Sequence, residues 1–146
     1  MISTKGRYAL RVMLDLAIKS KDAADNSEHF IPLDEIATRQ GISKKYLEII
    51  LKVLVQNKLL QGMRGKGGGY RLTRLPKDYT VGEILTLTEG NLAIVSCLLE
   101  SDAPCMRRGE CLTLPMWKKF DRMTHDFFFG ITLEDLMNGE LIDPKI

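Results

Sequence analysis

The sequence predicts a mainly α-helical fold carrying one small β-hairpin, and three observations predict it. Apolar residues recur at i, i+3, i+4 and i+7, as Leu47, Ile50, Leu51 and Leu54 do, which is the period of an amphipathic helix. Two such stretches, residues 33–40 and 43–57, are separated by a very short turn at Gly41. The run Arg64-Gly65-Lys66-Gly67-Gly68-Gly69 then lies between two short segments that can pair as strands. Helix, tight turn, helix and hairpin in that order describe a winged helix-turn-helix, an arrangement that sets its second helix in a DNA major groove.

Composition bounds the reading. The chain has 146 residues, room for one domain and a small appendage, and 45% of them are hydrophobic, enough for a real core. Net charge is only +2, so any nucleic-acid footprint must come from local clustering of charge. No apolar run approaches the roughly 18 residues that span a bilayer. The charged, amphipathic start does not read as a signal peptide, which points to the cytoplasm. An odd number of cysteines, three, argues in that compartment against a disulfide scaffold and toward metal or redox chemistry. There is no nucleophile–base–orienter set, no phosphate-cradling P-loop and no paired catalytic carboxylates, so an enzyme is not expected.

Taken in order, Ser3 or Thr4 can cap a first helix running to about Ser20. Ala9, Leu10, Val12, Met13, Leu14, Leu16, Ala17 and Ile18 cover most of its circumference, so it is expected to be buried on more than one side. Lys5 and Arg7 sit in its first turn beside outward-pointing backbone N–H groups, a pairing that can hold a DNA phosphate. An ordinary charged helix start accounts for them equally well. Residues 21–30 read as a polar surface loop, with His29 a plain member of it.

Pro32 introduces the helix-turn-helix. Ile36 and Ala37 are expected to face inward, Gly41 to end the helix in the left-handed conformation, and Ser43 to cap the next. The outer side of the second helix carries Lys44, Lys45, Glu48 and Lys52. The hairpin follows over residues 58–64 and 70–73. Arg64, Lys66 and Arg71 surround its tip, which can lie on a phosphate backbone or reach into a narrow minor groove. A solvated hairpin with glycines only for the turn is the plainer reading, and its place behind a helix-turn-helix favours the wing.

After Pro76, Thr80 and Glu83 form a capping-box pattern that opens a helix through Ile84, Leu85 and Leu87 to Gly90. Residues 91–96 are a short apolar connector. Cys97, Cys105 and Cys111 follow in a C-x7-C-x5-C run with Arg107 and Arg108 between them. Thiolates are soft ligands for iron–sulfur clusters, zinc or copper(I), and nearby arginines lower thiol pKa. The spacing alone leaves three readings open: metal site, redox-active thiols and inert cysteines. Thr113 and Pro115 start another helix bearing Leu114, Trp117, Phe120, Met123, Thr124, Phe127 and Phe128 before Gly130. Its stripe is expected to be part core, against the first helix, and part dimer seam. A last short helix is capped by Thr132 and carries Leu133, Leu136 and Met137.

The whole chain resembles the winged-helix repressor family that includes the iron–sulfur cluster assembly regulator, the nitric-oxide-sensing repressor and the cysteine metabolism repressor. The resemblance is carried by STKGRYALRVMLDLA, IPLDEIATRQGISKKYLEIIL, RGKGGGYRL, TVGEIL and the C…C…CLT run before an aromatic helix. It implies a DNA-binding transcription regulator, homodimeric through the long helix after the cysteine loop, on a pseudo-palindromic operator of double-stranded DNA. It implies recognition contacts at Ser43, Lys44, Tyr46 and Glu48, and wing contacts at Arg64 and Lys66. It also implies a [2Fe–2S] cluster on Cys97, Cys105 and Cys111 that modulates DNA binding.

The family's fourth ligand does not carry over, because its two usual positions are Leu114 and Arg7 here. The first cysteine spacer is also longer than usual. Glu100, Asp102, Glu110, His125 or a small exogenous ligand would have to complete the site. The competing expectation keeps the DNA-binding regulator and replaces the cluster with thiol redox state, a small metabolite or a partner protein. The expected organisation is a DNA-binding part over 1–90, a cysteine loop over 91–112, and a dimerisation and C-terminal helix over 113–146.

Overall fold

The computed structural model describes residues 1–22, 29–100 and 104–139. Among the described residues six α-helices and one hairpin follow in the order α1 (Thr4–Asp22), α2 (Leu33–Gln40), α3 (Lys44–Gln56), β1 (Leu60–Met63), β2 (Gly69–Leu72), α4 (Val81–Glu89), α5 (Leu114–Phe129) and α6 (Leu133–Asn138). Part of the expected polar loop, residues 23–28, lies outside the described residues, as does Asp102.

α1 is the post around which the rest is packed. It touches α2, α3, α4, α6 and β2. Ala9, Val12, Met13, Leu16 and Ala17 are all buried, whereas Ile18 turns outward at 45% exposure. Against them stand Ile36 and Ala37 of α2, Leu47, Ile50, Leu51 and Leu54 of α3, and Ile84 of α4. Each fully buried Leu or Ile contributes about 1.5–3 kcal/mol relative to an exposed one. Leu47, Ile50, Leu51 and Leu54 of α3 are buried completely, so its period of 3.6 fixes which side faces outward.

One charge enters this core. Asp15 is 7% exposed. Arg39 of α2 donates to both its oxygens, at 2.9 and 2.8 Å, and Gln40 Nε2 donates at 2.9 Å. Burial alone pushes this carboxyl up, but the Arg39 and Gln40 hydrogen bonds and the Arg39 charge outweigh it and hold the group below its ordinary value. The pair fixes the angle between α1 and α2.

The local signals at the helix-turn-helix are realised. Gly41 takes φ 62°, ψ 36°, and the Ser43 side chain accepts from the Tyr46 backbone N–H at 3.3 Å. The hairpin pairs Leu60 with Leu72 and Met63 with Gly69 in antiparallel register, and Ile31 bridges Tyr70 beside it. A Cβ on Gly69 would collide with the Ile31 carbonyl, and one on Gly68 with that of Met63. Gly68 is therefore required by the hairpin's own backbone, and Gly69 by the segment at Ile31 that pairs beside it.

Tyr79 pins the hairpin root. It is fully buried, its hydroxyl donates to the Leu59 carbonyl at 2.8 Å, and it accepts from the Thr73 and Arg74 backbone N–H groups at 2.9 Å each. Its own carbonyl accepts from Leu133 N–H, which docks α6.

Two expectations are revised. At α4 only half of the capping box forms: Thr80 accepts from Glu83 N–H at 3.1 Å, but the Glu83 carboxylate pairs with Arg74 at 2.8 Å. The complete box is at α6, between Thr132 and Asp135. The inner side of α5 packs chiefly on α4 rather than on α1. The cause is Gly82, whose missing side chain leaves room for the Phe129 ring. Phe128 joins Val81, Leu85 and Ile131 in a second small cluster.

Candidate nucleic-acid interface and cysteine loop

The outer side of α3 presents Lys44, Lys45, Glu48 and Lys52 to solvent. Lys44 reaches Asp34 of α2 at 2.9 Å, an exposed pair whose attraction is small in water and leaves the lysine able to exchange partners. Ser43 is spent on capping, so its hydroxyl faces the first turn of α3. Tyr46 is half-buried and meets Tyr8 of α1 edge-on, with ring centroids 5.8 Å apart. That contact holds α3 against α1.

The hairpin tip carries Arg64 and Lys66, both exposed. A groove of about 660 Å³ runs between α3 and the hairpin, and Lys52 and Gln56 line one wall while Arg64, Gly65 and Gly68 line the other. Helix and hairpin thus bring cations to one side of the molecule. Arg71 is turned away from the tip: it donates to Gln61 Oε1 at 3.0 and 2.8 Å and lies 4.6 Å from the Phe30 ring centroid.

At the start of α1, the Ser3 amide and hydroxyl both go to the Glu89 carboxylate, at 3.2 and 2.6 Å, and Ser3 Oγ accepts from Gly6 N–H. The side chains of Lys5 and Arg7 are left as the cations of this corner, with Arg7 donating to Thr4 Oγ1 at 3.1 Å. Arg11 is the basic residue the sequence reading passed over. It is exposed, lies 5.2 Å from the Tyr8 ring centroid and donates to Gln40 at the end of α2. Its spacing of one helical turn from Arg7 was the available signal.

The three cysteines are free thiols: Cys105 is exposed, and Cys97 and Cys111 are partly so. Cys97 lies in a single 3-10 turn, Ser96–Leu98. Cys111 Sγ is 3.3 Å from Thr113 Oγ1, and hydrogen bonding to Thr113 holds this thiol below its usual range, with Arg107 adding a weaker attraction. The donor chemistry suits a soft metal centre. The arrangement does not gather it: among the described residues no three His, Cys, Asp or Glu side chains form a metal-holding group. Glu100 and Glu110 are exposed, and His125 stacks on Phe129 at 4.3 Å on α5. Leu114 is buried at 8% exposure. Beyond the loop, Met116, Phe120, Met123 and Phe127 form a stripe along α5, each 47–59% exposed.

An amphipathic helix pair with a cationic outer side, followed by a glycine-tipped hairpin sharing one groove with it, defines a winged helix-turn-helix. No helix among the described residues is long and apolar enough to cross a membrane. Residues 2–139 match the family model Rrf2, described as iron-dependent transcriptional regulator, and the chain belongs to that family. The chain is accordingly a transcriptional regulator and not an enzyme. It is 34% identical over 143 residues to the HTH-type transcriptional regulator IscR of Pectobacterium carotovorum, covering 97% of this chain and 82% of that one. It superposes on the structure of CymR, the global cysteine regulator of B. subtilis, with TM-score 0.73 and 32% identity over 95% of this chain and 97% of that chain. It is similar also to T. potens IscR, with TM-score 0.70 and 31% identity over 96% and 88%.

Proposed function

We propose that the chain is a cytoplasmic, homodimeric repressor that grips a pseudo-palindromic operator, with α3 in the major groove and the hairpin wing in the flanking minor groove. The observation that carries this reading is the shared groove lined by Lys52 of α3 and Arg64 of the wing. Lys45 and Lys52 contact phosphates or base edges, Glu48 accepts from a cytosine amino group, and Arg64 and Lys66 follow the wing. Lys44 exchanges Asp34 for DNA. Lys5, Arg7 and Arg11 hold the backbone from α1, Ser43 and Tyr46 fix the angle of α3, and Arg71 stiffens the wing root. The uncovered stripe Met116, Phe120, Met123 and Phe127, spaced 4-3-4, suits a seam between two copies of α5.

Control is assigned to the cysteine loop, which joins α4 to the seam helix. In the leading reading Cys97, Cys105 and Cys111 hold a [2Fe–2S] cluster, which supplies a redox-active anionic centre when bound. Holding it requires the loop to draw its thiols closer than they stand here. The second reading, direct control by thiol oxidation, is favoured by the depressed Cys111 thiol, since thiolate is the reactive form.

The test has two arms. Operator selection on the purified protein, then titration at several salt concentrations, should show affinity falling steeply with salt. Arg64→Ala or Lys66→Ala should each weaken binding and reduce the salt slope by about 1, whereas Glu48→Ala should relax base preference. If all three variants bind as wild type does, the reading surface is elsewhere. In the second arm, anaerobically purified brown protein carrying iron and sulfide supports the cluster, and colourless protein with three titratable thiols supports a cluster-free regulator, controlled by thiol redox state, a small metabolite or a partner protein.

A further inference from the structure

We infer that Ile49 reads a thymine methyl group, an inference that deepens the DNA-binding reading above and rests on it. Within α2 and α3 every large apolar side chain is buried or half-buried except Ile49, which is 49% exposed. Its position is not marginal. At about 100° per residue, the buried side centres on Leu47, Ile50, Leu51 and Leu54, and Ile49 falls within about 40° of the opposite line, beside Lys45, Lys52 and Gln56. Glu48 is its neighbour in sequence. An isoleucine beside charged residues, close to the outermost line of the helix that flanks the groove, leaves about half of its surface uncovered by the chain.

The major groove offers one apolar feature, the C5 methyl of thymine. Isoleucine suits that target. Being β-branched, it holds essentially one χ1 rotamer in a helix, so its methyl surface is presented at a fixed point with little entropy to lose. The neighbours divide the remaining work: Lys45 and Lys52 supply charge above and below, and Glu48 accepts from an amino donor at an adjacent base. A short apolar side chain between them leaves room for the backbone of α3 to approach the bases.

The probe is a duplex selected from a random library by the full-length wild-type protein. Each thymine of a half-site is replaced in turn by deoxyuridine, symmetrically in both halves, and Kd is measured by anisotropy for wild type, Ile49→Ala and Ile49→Gln. One thymine position should weaken wild-type binding about fourfold per half-site when its methyl is removed. Ile49→Ala should bind the thymine and deoxyuridine duplexes equally. Ile49→Gln, put through selection afresh, should exchange thymine for adenine at that position, because Gln pairs with adenine N6 and N7. Matching circular-dichroism melts would show all three folded, as expected for an exposed side chain. A wild type that binds its duplex but shows no deoxyuridine effect that Ile49→Ala abolishes overturns the thymine inference and leaves the regulator reading standing. A wild type that retains no duplex at low salt overturns both.

Discussion

The helix-turn-helix with its hairpin and the α5 helix with its cysteine loop differ in how much of their chemistry is finished within one chain. In the first, α3 buries Leu47, Ile50, Leu51 and Leu54 completely, Asp15 has Arg39 and Gln40, and the Tyr79 hydroxyl meets three backbone groups. In the second, only Leu114 of α5 is buried, a stripe of four large apolar side chains lies open, and Met106 and Leu112 on the loop are 101% and 95% exposed. The contrast teaches that the helix-turn-helix is set by intramolecular packing, while α5 and its loop leave much of their apolar surface uncovered in the single chain. A contiguous apolar stripe of this kind marks an interaction surface.

The largest test breaks the second region alone. Phe120→Glu with Phe127→Glu should give a monomer in analytical ultracentrifugation and lower operator affinity by a hundredfold or more, since each chain then reads one half-site. Its far-UV spectrum and melting cooperativity should be retained, because both rings are about half exposed in the single chain. A mutant that stays dimeric would remove α5 as the seam.

The counterpart in the first region is Leu51→Ala, which should cost about 2–5 kcal/mol in urea unfolding through the cavity it leaves. Tyr79→Phe should follow at about 1–3 kcal/mol, because the Thr73 and Arg74 amides lose their part-buried acceptor and the Leu59 carbonyl is left with Thr73 Oγ1 at 3.2 Å. If Met123→Ala in the monomeric background costs as much as either, the contrast between the regions is false.

Asp15 sharpens the comparison through pH. Its folded pKa lies below the unfolded one, so its contribution is complete above the unfolded value of about 3.9 and is lost as pH falls through the folded value. Asp15→Asn should therefore be less stable than wild type at neutral pH, by about 1–3 kcal/mol given that Arg39 is partly open to water, and the gap should close in acid. The smallest effect concerns Lys58, held at φ 61° after α3. Lys58→Gly should raise stability by about 0.5–1 kcal/mol, read as a small rise in Tm.

Much of the reading head was legible. The turn at Gly41 and Ser43 rests on single-residue conformational preferences, and the buried side of α3 rests on a period, both local properties. Arg71 was harder: beside a glycine-rich tip it reads as a phosphate contact, yet its partners Gln61 and Phe30 come from the opposite strand and from an earlier loop. The exposure of Ile49 was hidden for a related reason: its angle follows from the period, but whether another element covers that side does not.

The chain by itself determined the helices, their order, the glycine-tipped hairpin and the family to which they belong, because these follow from spacing, caps and backbone permissiveness within a few residues. Tertiary structure alone decided which arginine the buried Asp15 carboxylate would hold, why α5 leans on α4 through Gly82, and which part of its apolar stripe stays uncovered. Those outcomes depend on residues far apart in sequence meeting in space, and no local pattern encodes the distance between them.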